Sequence, residues 1–156
     1  MRIAVISDSH DNLPNLKKTL DFIKKEKIKV IIHCGDISTP ETLEEIAKNF
    51  KGKIHYVFGN ADKGKFEEDK KEFGEIKIAG KKIAFCHFPA LAQKLADSQN
   101  YDIIFYGHTH KPWKQAISKT QLINPGNLAG LWYKATFAVY DPKTKKLELK
   151  ILEKLK

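Results

Sequence analysis

The stretch KVIIHCGD, residues 29–36, reads as a buried strand that delivers a glycine and then an acid. Val30, Ile31 and Ile32 are β-branched and apolar, the composition of a covered strand. Gly35 ends the run and Asp36 follows it. The same grammar recurs on both sides. The run 2–7 stops at Asp8-Ser9-His10, and the run 53–58 stops at Gly59-Asn60. Further on, 82–86 stops at His87, and 102–106 stops at Gly107-His108-Thr109-His110. Ligands of α/β sheets bind beyond the carboxyl ends of strands, so five such ends can serve one place.

Between the first three strands the spacing is helical. Asp11-Asn12 caps a helix with Leu13, Leu16, Leu20 and Ile23 on one face and Pro14 in its first turn. Ser38-Thr39-Pro40-Glu41 opens a second, with Leu43, Ile46, Ala47 and Phe50 inward. Strand-helix-strand-helix-strand predicts parallel pairing with right-handed crossovers. The second half differs. Residues 75–79 and 82–86 flank Gly80-Lys81 as a hairpin, 89–97 is a short helix, and strands are expected over 102–106, 113–118, 121–123, 136–140 and 147–152. The predicted class is α/β: two mixed β-sheets packed face to face with helices outside, a four-layer α-β-β-α sandwich, in one domain over 1–156.

Composition narrows the function. A hydrophobic content of 42% suits a globular chain. No apolar run approaches the ~20 residues of a membrane span, and the opening apolar run ends at Ile6, too short for a signal peptide. No membrane association and a cytoplasmic location are therefore expected. Cys34 and Cys86 read as two buried thiols rather than a disulfide. The net charge is +9, yet Arg2 is the only arginine among 28 basic residues. Specific nucleic-acid surfaces lean on arginine forks, so no such binding is expected. The lysines are scattered in pairs such as Lys17-Lys18 and Lys81-Lys82, as on a solvated surface.

Taken singly, each polar strand end has an ordinary explanation: a helix cap for Asp8 or Asp36, a turn for Asn60, a structural role for any one histidine. That explanation has to be repeated five times, always at a strand end. Together Asp8, His10, Asp36, Asn60, His87, His108 and His110 supply seven nitrogen and oxygen donors, more than one tetrahedral zinc needs. A carboxylate shared between two ions supplies the eighth. Mixed imidazole and carboxylate donors suit Mn²⁺, Fe²⁺, Co²⁺, Ni²⁺ or Zn²⁺.

These blocks resemble the calcineurin-like metallophosphoesterases, whose pattern is D-x-H, G-D, G-N-H, a lone His and G-H-x-H. Here they read Asp8-Ser9-His10, Gly35-Asp36, Gly59-Asn60-Ala61, His87 and Gly107-His108-Thr109-His110, and the later Asn124-Pro125-Gly126 also looks like this family. The chain looks most like the small prokaryotic phosphodiesterase branch, similar in fold to a retromer subunit that serves as a scaffold. The resemblance implies a dinuclear metal-dependent phosphodiesterase in which a metal-bridging hydroxide attacks phosphorus. It implies that Asp8, His10, Asp36 and His110 hold the first ion, that Asp36 bridges, and that Asn60, His87 and His108 complete the second. Asn60 and His108 would also hold the phosphoryl oxygens. Two divalent ions per chain follow, manganese favoured, with no other cofactor, and a small phosphate ester or nucleotide-like substrate. A phosphomonoesterase and a non-catalytic scaffold are the alternatives.

Two departures stand out. Ala61 occupies the place of the family histidine that contacts substrate or helps the leaving group. Phe88-Pro89 follows His87 where the family often has Gly, and Phe88 either walls the pocket or packs beneath it. His33 reads as a packed or supporting histidine, and His55 as structural or exposed. Asp62 reads either as orienting a water or a ligand or as a turn residue with no required role, and Asp11 and Asn12 as helix caps in preference to substrate contacts. Trp113 and Trp132 fit an aromatic wall, the core or a homo-oligomer contact equally.

Overall fold

The computed structural model describes residues 1–66 and 71–155. Ten strands and three α-helices follow in the order β1 (Ile3–Ile6), α1 (Leu13–Lys25), β2 (Val30–His33), α2 (Pro40–Asn49), β3 (Lys53–Tyr56), β4 (Phe73–Ile78), β5 (Lys81–Cys86), α3 (Pro89–Asp97), β6 (Ile103–Phe105), β7 (Trp113–Ile117), β8 (Thr120–Asn124), β9 (Thr136–Asp141) and β10 (Lys146–Ile151). One sheet has the order β10-β9-β1-β2-β3 and the other β4-β5-β6-β8-β7. In the first, β1, β2 and β3 run parallel, with Ile6 opposite His33 and His33 opposite Tyr56. In the second, β5, β6 and β8 run parallel. Strands β9, β10, β4 and β7 are added by antiparallel pairing, so both sheets are mixed.

The expected layers are present. Ile3, Val5, Val30 and Ile32 from one sheet meet Ile83, Phe85, Ile103, Phe105 and Ile123 from the other in the central core. The opposite face of the first sheet, with Ala4, Ile6 and Ile31, is covered by Leu16, Leu20 and Ile23 of α1 and Ile46 of α2. The opposite face of the second sheet, with Ala84, Cys86, Ile104 and Leu122, is covered by Ala92 and Ala96 of α3. Strands buried on both faces read as unbroken apolar runs, which is why alternation is missing from β1 and β2.

Local details depart from the sequence reading in small ways. Leu13 is 43% exposed, because it sits in the first turn of α1 at the edge of the packed face. Ala47 is exposed, and Thr42 takes the inward place on α2. Lys81 belongs to β5, so the β4–β5 turn is Ala79-Gly80, with φ of 51° and 75°. That pair of left-handed residues matches the twist of a tight hairpin. Asn12 caps α1 by accepting the Asn15 N–H at 3.0 Å. Both cysteines are free and buried, and burial pushes the Cys86 thiol up to about 12.

Candidate metal centre

Every predicted donor stands just past the carboxyl end of a parallel strand. Asp8 and His10 follow β1, Asp36 follows β2 and Asn60 follows β3, all on one sheet. His87 follows β5, and His108 and His110 follow β6, on the other. The two sheets therefore meet at this rim with their polar ends facing one cleft.

The first group is Asp8, His10, Asp36 and His110, whose donor atoms lie within 4.8 Å of one another. His110 Nε2 stands 3.2 Å from Asp8 Oδ1, and His10 Nε2 3.5 Å from Asp36 Oδ2. The two imidazole nitrogens are 3.4 Å apart. Asp8 is fully buried, and its Oδ2 accepts from Ser7 Oγ and from the His108 backbone N–H. Two buried side-chain polar atoms among the described residues lack a hydrogen bond, Asp8 Oδ1 and His110 Nδ1, and both belong to this group. A buried carboxylate oxygen without a partner is costly, and a cation at the convergence satisfies it.

The second group is Asn60, His87 and His108. Asn60 Oδ1 lies 3.1 Å from His87 Nε2 and 3.0 Å from His108 Nδ1. His87 Nδ1 donates to the Cys34 carbonyl at 2.8 Å, which puts the ring proton there and leaves Nε2 with a lone pair. That lone pair faces two acceptors, Asn60 Oδ1 and, at 3.4 Å, Asp36 Oδ1. Acceptors crowd together in this way only around a proton or a cation. Burial pulls the His87 imidazole down, but the Asp36 and Asp8 carboxylates outweigh it and lift it above the ordinary value. Burial likewise lifts Asp36, yet the neighbouring His87 holds its carboxyl below the usual range. Asp8 beside His110 raises that imidazole as well. The field here favours positive charge, and the carboxylate and imidazole donors fit a divalent ion of the Mn²⁺ to Zn²⁺ series.

The local backbone is built for these positions. Asp8, His10, Asp36, His108 and His110 all have left-handed φ, between 42° and 71°. Such conformations are uncommon outside glycine and gather at functional sites. Glycines press against the donors. A Cβ on Gly59 would lie 2.2 Å from Asp36 Oδ1, and one on Gly107 2.0 Å from Ser7 Oγ and 2.7 Å from Asp8 Oδ2. The strand-end glycines are thus required by close approach.

Several further residues support the donor loops, and the roles of Asp62 and Asn127 are not legible in the sequence. Asp62 is buried, and its carboxylate accepts from the backbone N–H groups of Gly59 at 2.8 Å, Asp36 at 2.9 Å and Ser38 at 2.7 Å. It is a clamp joining two donor loops, so of its two readings the orienting one is closer than the turn without a role. Its only signal is an acid two places after the donor asparagine. Asn124 donates to the Gly107 carbonyl and to Thr109 Oγ1, both at 3.0 Å, and Asn127 donates to the His110 carbonyl at 3.1 Å. His33 is fully buried. Its Nδ1 accepts the Gly35 N–H, so Nε2 carries the proton and donates to Ser9 Oγ at 2.9 Å. Burial lowers it to about 4, which keeps it neutral. Asp11 does not face the donors. It binds Thr39 and Thr42 and ties its loop to α2.

The two departures have structural answers. The Ala61 side chain brings no polar group, but its backbone N–H donates to Asp36 Oδ1 at 2.8 Å. Phe88 is 40% exposed, and its ring lies 4.9 Å from that of His87 and 5.1 Å from that of His108, so it is a wall of the cleft and not a base beneath it. Trp113 and Trp132 are both exposed, the latter at 85%, which removes the core alternative.

Known proteins are similar to this chain in sequence and fold. The model of the calcineurin-like phosphoesterase superfamily domain matches residues 1–145. Phosphodiesterase MJ0936 of Methanocaldococcus jannaschii is 29% identical over 167 residues, covering 98% of this chain and 100% of that protein. A solved structure of a novel archaeal phosphodiesterase superposes with a TM-score of 0.87 at 27% identity, covering 97% of this chain and 99% of that one. Vps29 of Entamoeba histolytica, complexed with zinc, has a TM-score of 0.75 at 19% identity, covering 97% of this chain and 99% of that one, a likeness of fold alone.

Proposed function

The chain belongs to the calcineurin-like phosphoesterase superfamily, and from that premise we propose that it is a metal-dependent phosphodiesterase with two divalent ions per chain. The observation that carries this reading is the Asp36 carboxylate. Its Oδ2 faces His10 in the first donor group and its Oδ1 faces His87 in the second, so one side chain is shared by both. Asp8, His10 and His110 complete the first position; Asn60, His87 and His108 complete the second. Manganese is the favoured ion. Held by these residues, a pair of ions would supply water activation and would neutralise charge that builds on phosphoryl oxygens.

The chain's own residues do the positioning. Asp62 fixes the Asp36 loop through the Asp36 N–H, and Ala61 fixes Oδ1, so the shared carboxylate has little freedom. The Cys34 carbonyl holds His87 in the tautomer that offers Nε2. His108 is exposed at the mouth of the cleft, where its ring and the Asn60 amide meet an incoming phosphoryl group. Positioned donors of this kind cost no reorganisation as charge develops. No side chain at position 61 can hand a proton to the departing oxygen.

The diester preference is supported by the relative called a phosphodiesterase, aligned over 98% of this chain. The scaffold alternative is disfavoured by the completeness of both donor groups. The test is metal content of the purified protein together with turnover of bis(4-nitrophenyl) phosphate in Mn²⁺ and in EDTA. Close to two ions per chain and EDTA-sensitive turnover are expected. Absence of metal and of turnover would establish a scaffold, and faster cleavage of 4-nitrophenyl phosphate than of the diester would establish a monoesterase.

A further inference from the structure

Two exposed aromatic rings stand beside the donor array, one at each donor group. Trp132 is 85% exposed, and its ring centroid lies 4.9 Å from that of His110 in the first group. Its backbone has φ 58°, an uncommon conformation for a bulky residue. The loop that carries it is anchored at several points. Asn15 donates to the Leu128 carbonyl, Asn12 to the Ala129 carbonyl, and the Leu131 N–H to Asn127 Oδ1. Asn127 also donates to the His110 carbonyl, so one side chain holds both His110 and the tryptophan loop. Phe88 in turn leans on His87 and His108 of the second group. Beside it lies a cavity of about 440 Å³ lined by Phe58, Asn60, Lys63, Lys71 and Phe88 among others. Cavities of this size accept small-molecule substituents.

A large apolar ring kept in water on a fixed loop gives up the burial that a core tryptophan gains. Its position against a donor of the centre gives it a use. A phosphodiester seated on the two donor groups carries two substituents, whereas a monoester carries one. Two exposed rings, one beside each group, match the diester.

We propose that Trp132 and Phe88 are specificity-determining residues, each stacking on a planar ring carried by one ester substituent, so that the preferred substrates are phosphodiesters bearing nucleobase or aryl rings. The inference rests on the phosphodiesterase reading above. Base–aromatic stacking tolerates any flat ring, since every such ring presents a π-face. Lys63 and Lys71, on the cavity side, suit a substituent that carries further negative charge.

The chain has two tryptophans, so Trp113→Phe leaves Trp132 as the sole indole reporter. Titration of that protein with adenosine 5′-monophosphate, phenyl phosphate and methyl phosphate reads stacking without any turnover. Saturable quenching by the first two and none by the third is expected, and the tighter of the two tells nucleobase from aryl. Kinetics supply the second arm. Bis(4-nitrophenyl) phosphate and methyl 4-nitrophenyl phosphate share a leaving group and differ in the retained substituent. One of Trp132→Ala and Phe88→Ala, the one at the retained substituent, should lower kcat/KM for the diaryl ester about tenfold more than for the methyl ester, while the other, at the shared leaving group, should lower both about tenfold, and Trp132→Phe should recover most of the Trp132→Ala loss. No loss in either variant, equal losses on both esters in both variants, or no quenching by either ring-bearing ligand, would overturn the proposal. A Trp132→Ala protein that changes its oligomeric mass without lowering kcat/KM for either ester would make the ring an interface residue and overturn it too. Failure of the wild type to cleave either ester sinks the phosphodiesterase reading, while the quenching arm still decides the stacking.

Discussion

The backbone N–H of Ala61 donates to Asp36 Oδ1 at 2.8 Å. The residue that brings no polar side chain to the cleft therefore holds the carboxylate on which both donor groups depend. Any residue but proline at 61 can make this bond, so the side chain there is free to vary without dismantling the centre. Asp36 has no such freedom.

Asp36→Ala should remove both ions together. Metal analysis of the purified variant is expected to fall from close to two ions per chain to near zero, with the far-UV signature of the fold retained. Two ions per chain in this variant would contradict the shared role.

Asn60→Ala should act on one position. A neutral amide oxygen is a weak ligand, so the second position is the more easily stripped and wild-type metal titration should show two affinities. The variant is expected to keep the first ion and to lose affinity for the second by one to two orders of magnitude. Equal weakening of both would make Asn60 a turn residue.

Asp62→Ala strips the acceptor from three backbone N–H groups, those of Gly59, Asp36 and Ser38. Unsatisfied buried donors are costly, and a loss of roughly 2–4 kcal/mol in unfolding free energy is expected. Asp62→Asn keeps one acceptor oxygen and should lose less. Chemical denaturation of the metal-free proteins measures both. A loss under 0.5 kcal/mol, by the ordinary range for surface changes, would deny the clamp.

His33 gives the fold an acid limit. Its folded value of about 4 lies below the ordinary 6.5, so the unfolded chain takes up the proton first as pH falls. Its contribution is complete above 6.5 and is lost on acidification toward 4, about 3 kcal/mol in all. His87 and His110 act in the opposite sense, since their raised values favour the folded metal-free state at low pH and that contribution fades as pH rises. Comparing wild type with His33→Gln isolates the first term. The variant should show a flatter stability profile between pH 6.5 and 4, and parallel profiles would reassign the acid sensitivity.

On the proposed mechanism, position 61 sets the leaving-group requirement. With no proton donor there, the departing oxygen carries charge, and rate should fall steeply as leaving-group pKa rises. A general acid contributes typically ~10²–10⁴-fold. Ala61→His should flatten that dependence with metal content unchanged. A graded series of aryl phosphodiesters, run on both proteins with the same metal, measures the slope. An already flat wild-type slope would mean that another group donates the proton.

Most of the fold is legible in the sequence, because strands covered on both faces need unbroken apolar runs and the helices between them need 3.6-residue spacing. The donors are legible because each sits where an apolar run ends. What escapes is whatever depends on contact between distant loops. Nothing in Asp62 itself announces that Asp36 and Ser38 lie over it, and nothing in Phe88-Pro89 decides whether the ring faces the cleft. Trp132 illustrates the same limit: its sequence fits a wall, the core or an oligomer contact equally, and only the loop anchored by Asn127 leaves it in water.

Four of the donors stand on the sheet that the first half of the chain begins, and three on the sheet that the second half completes. A nascent chain that has emerged only as far as Asn60 therefore displays Asp8, His10 and Asp36 with no partner from His87 onward. Under the two-ion proposal, ions joining the two rims would rivet the halves of the sandwich at this end. Metal retention would then gauge complete closure: a truncated or half-docked product would release its ions to any chelator, and only the fully assembled molecule would withhold them.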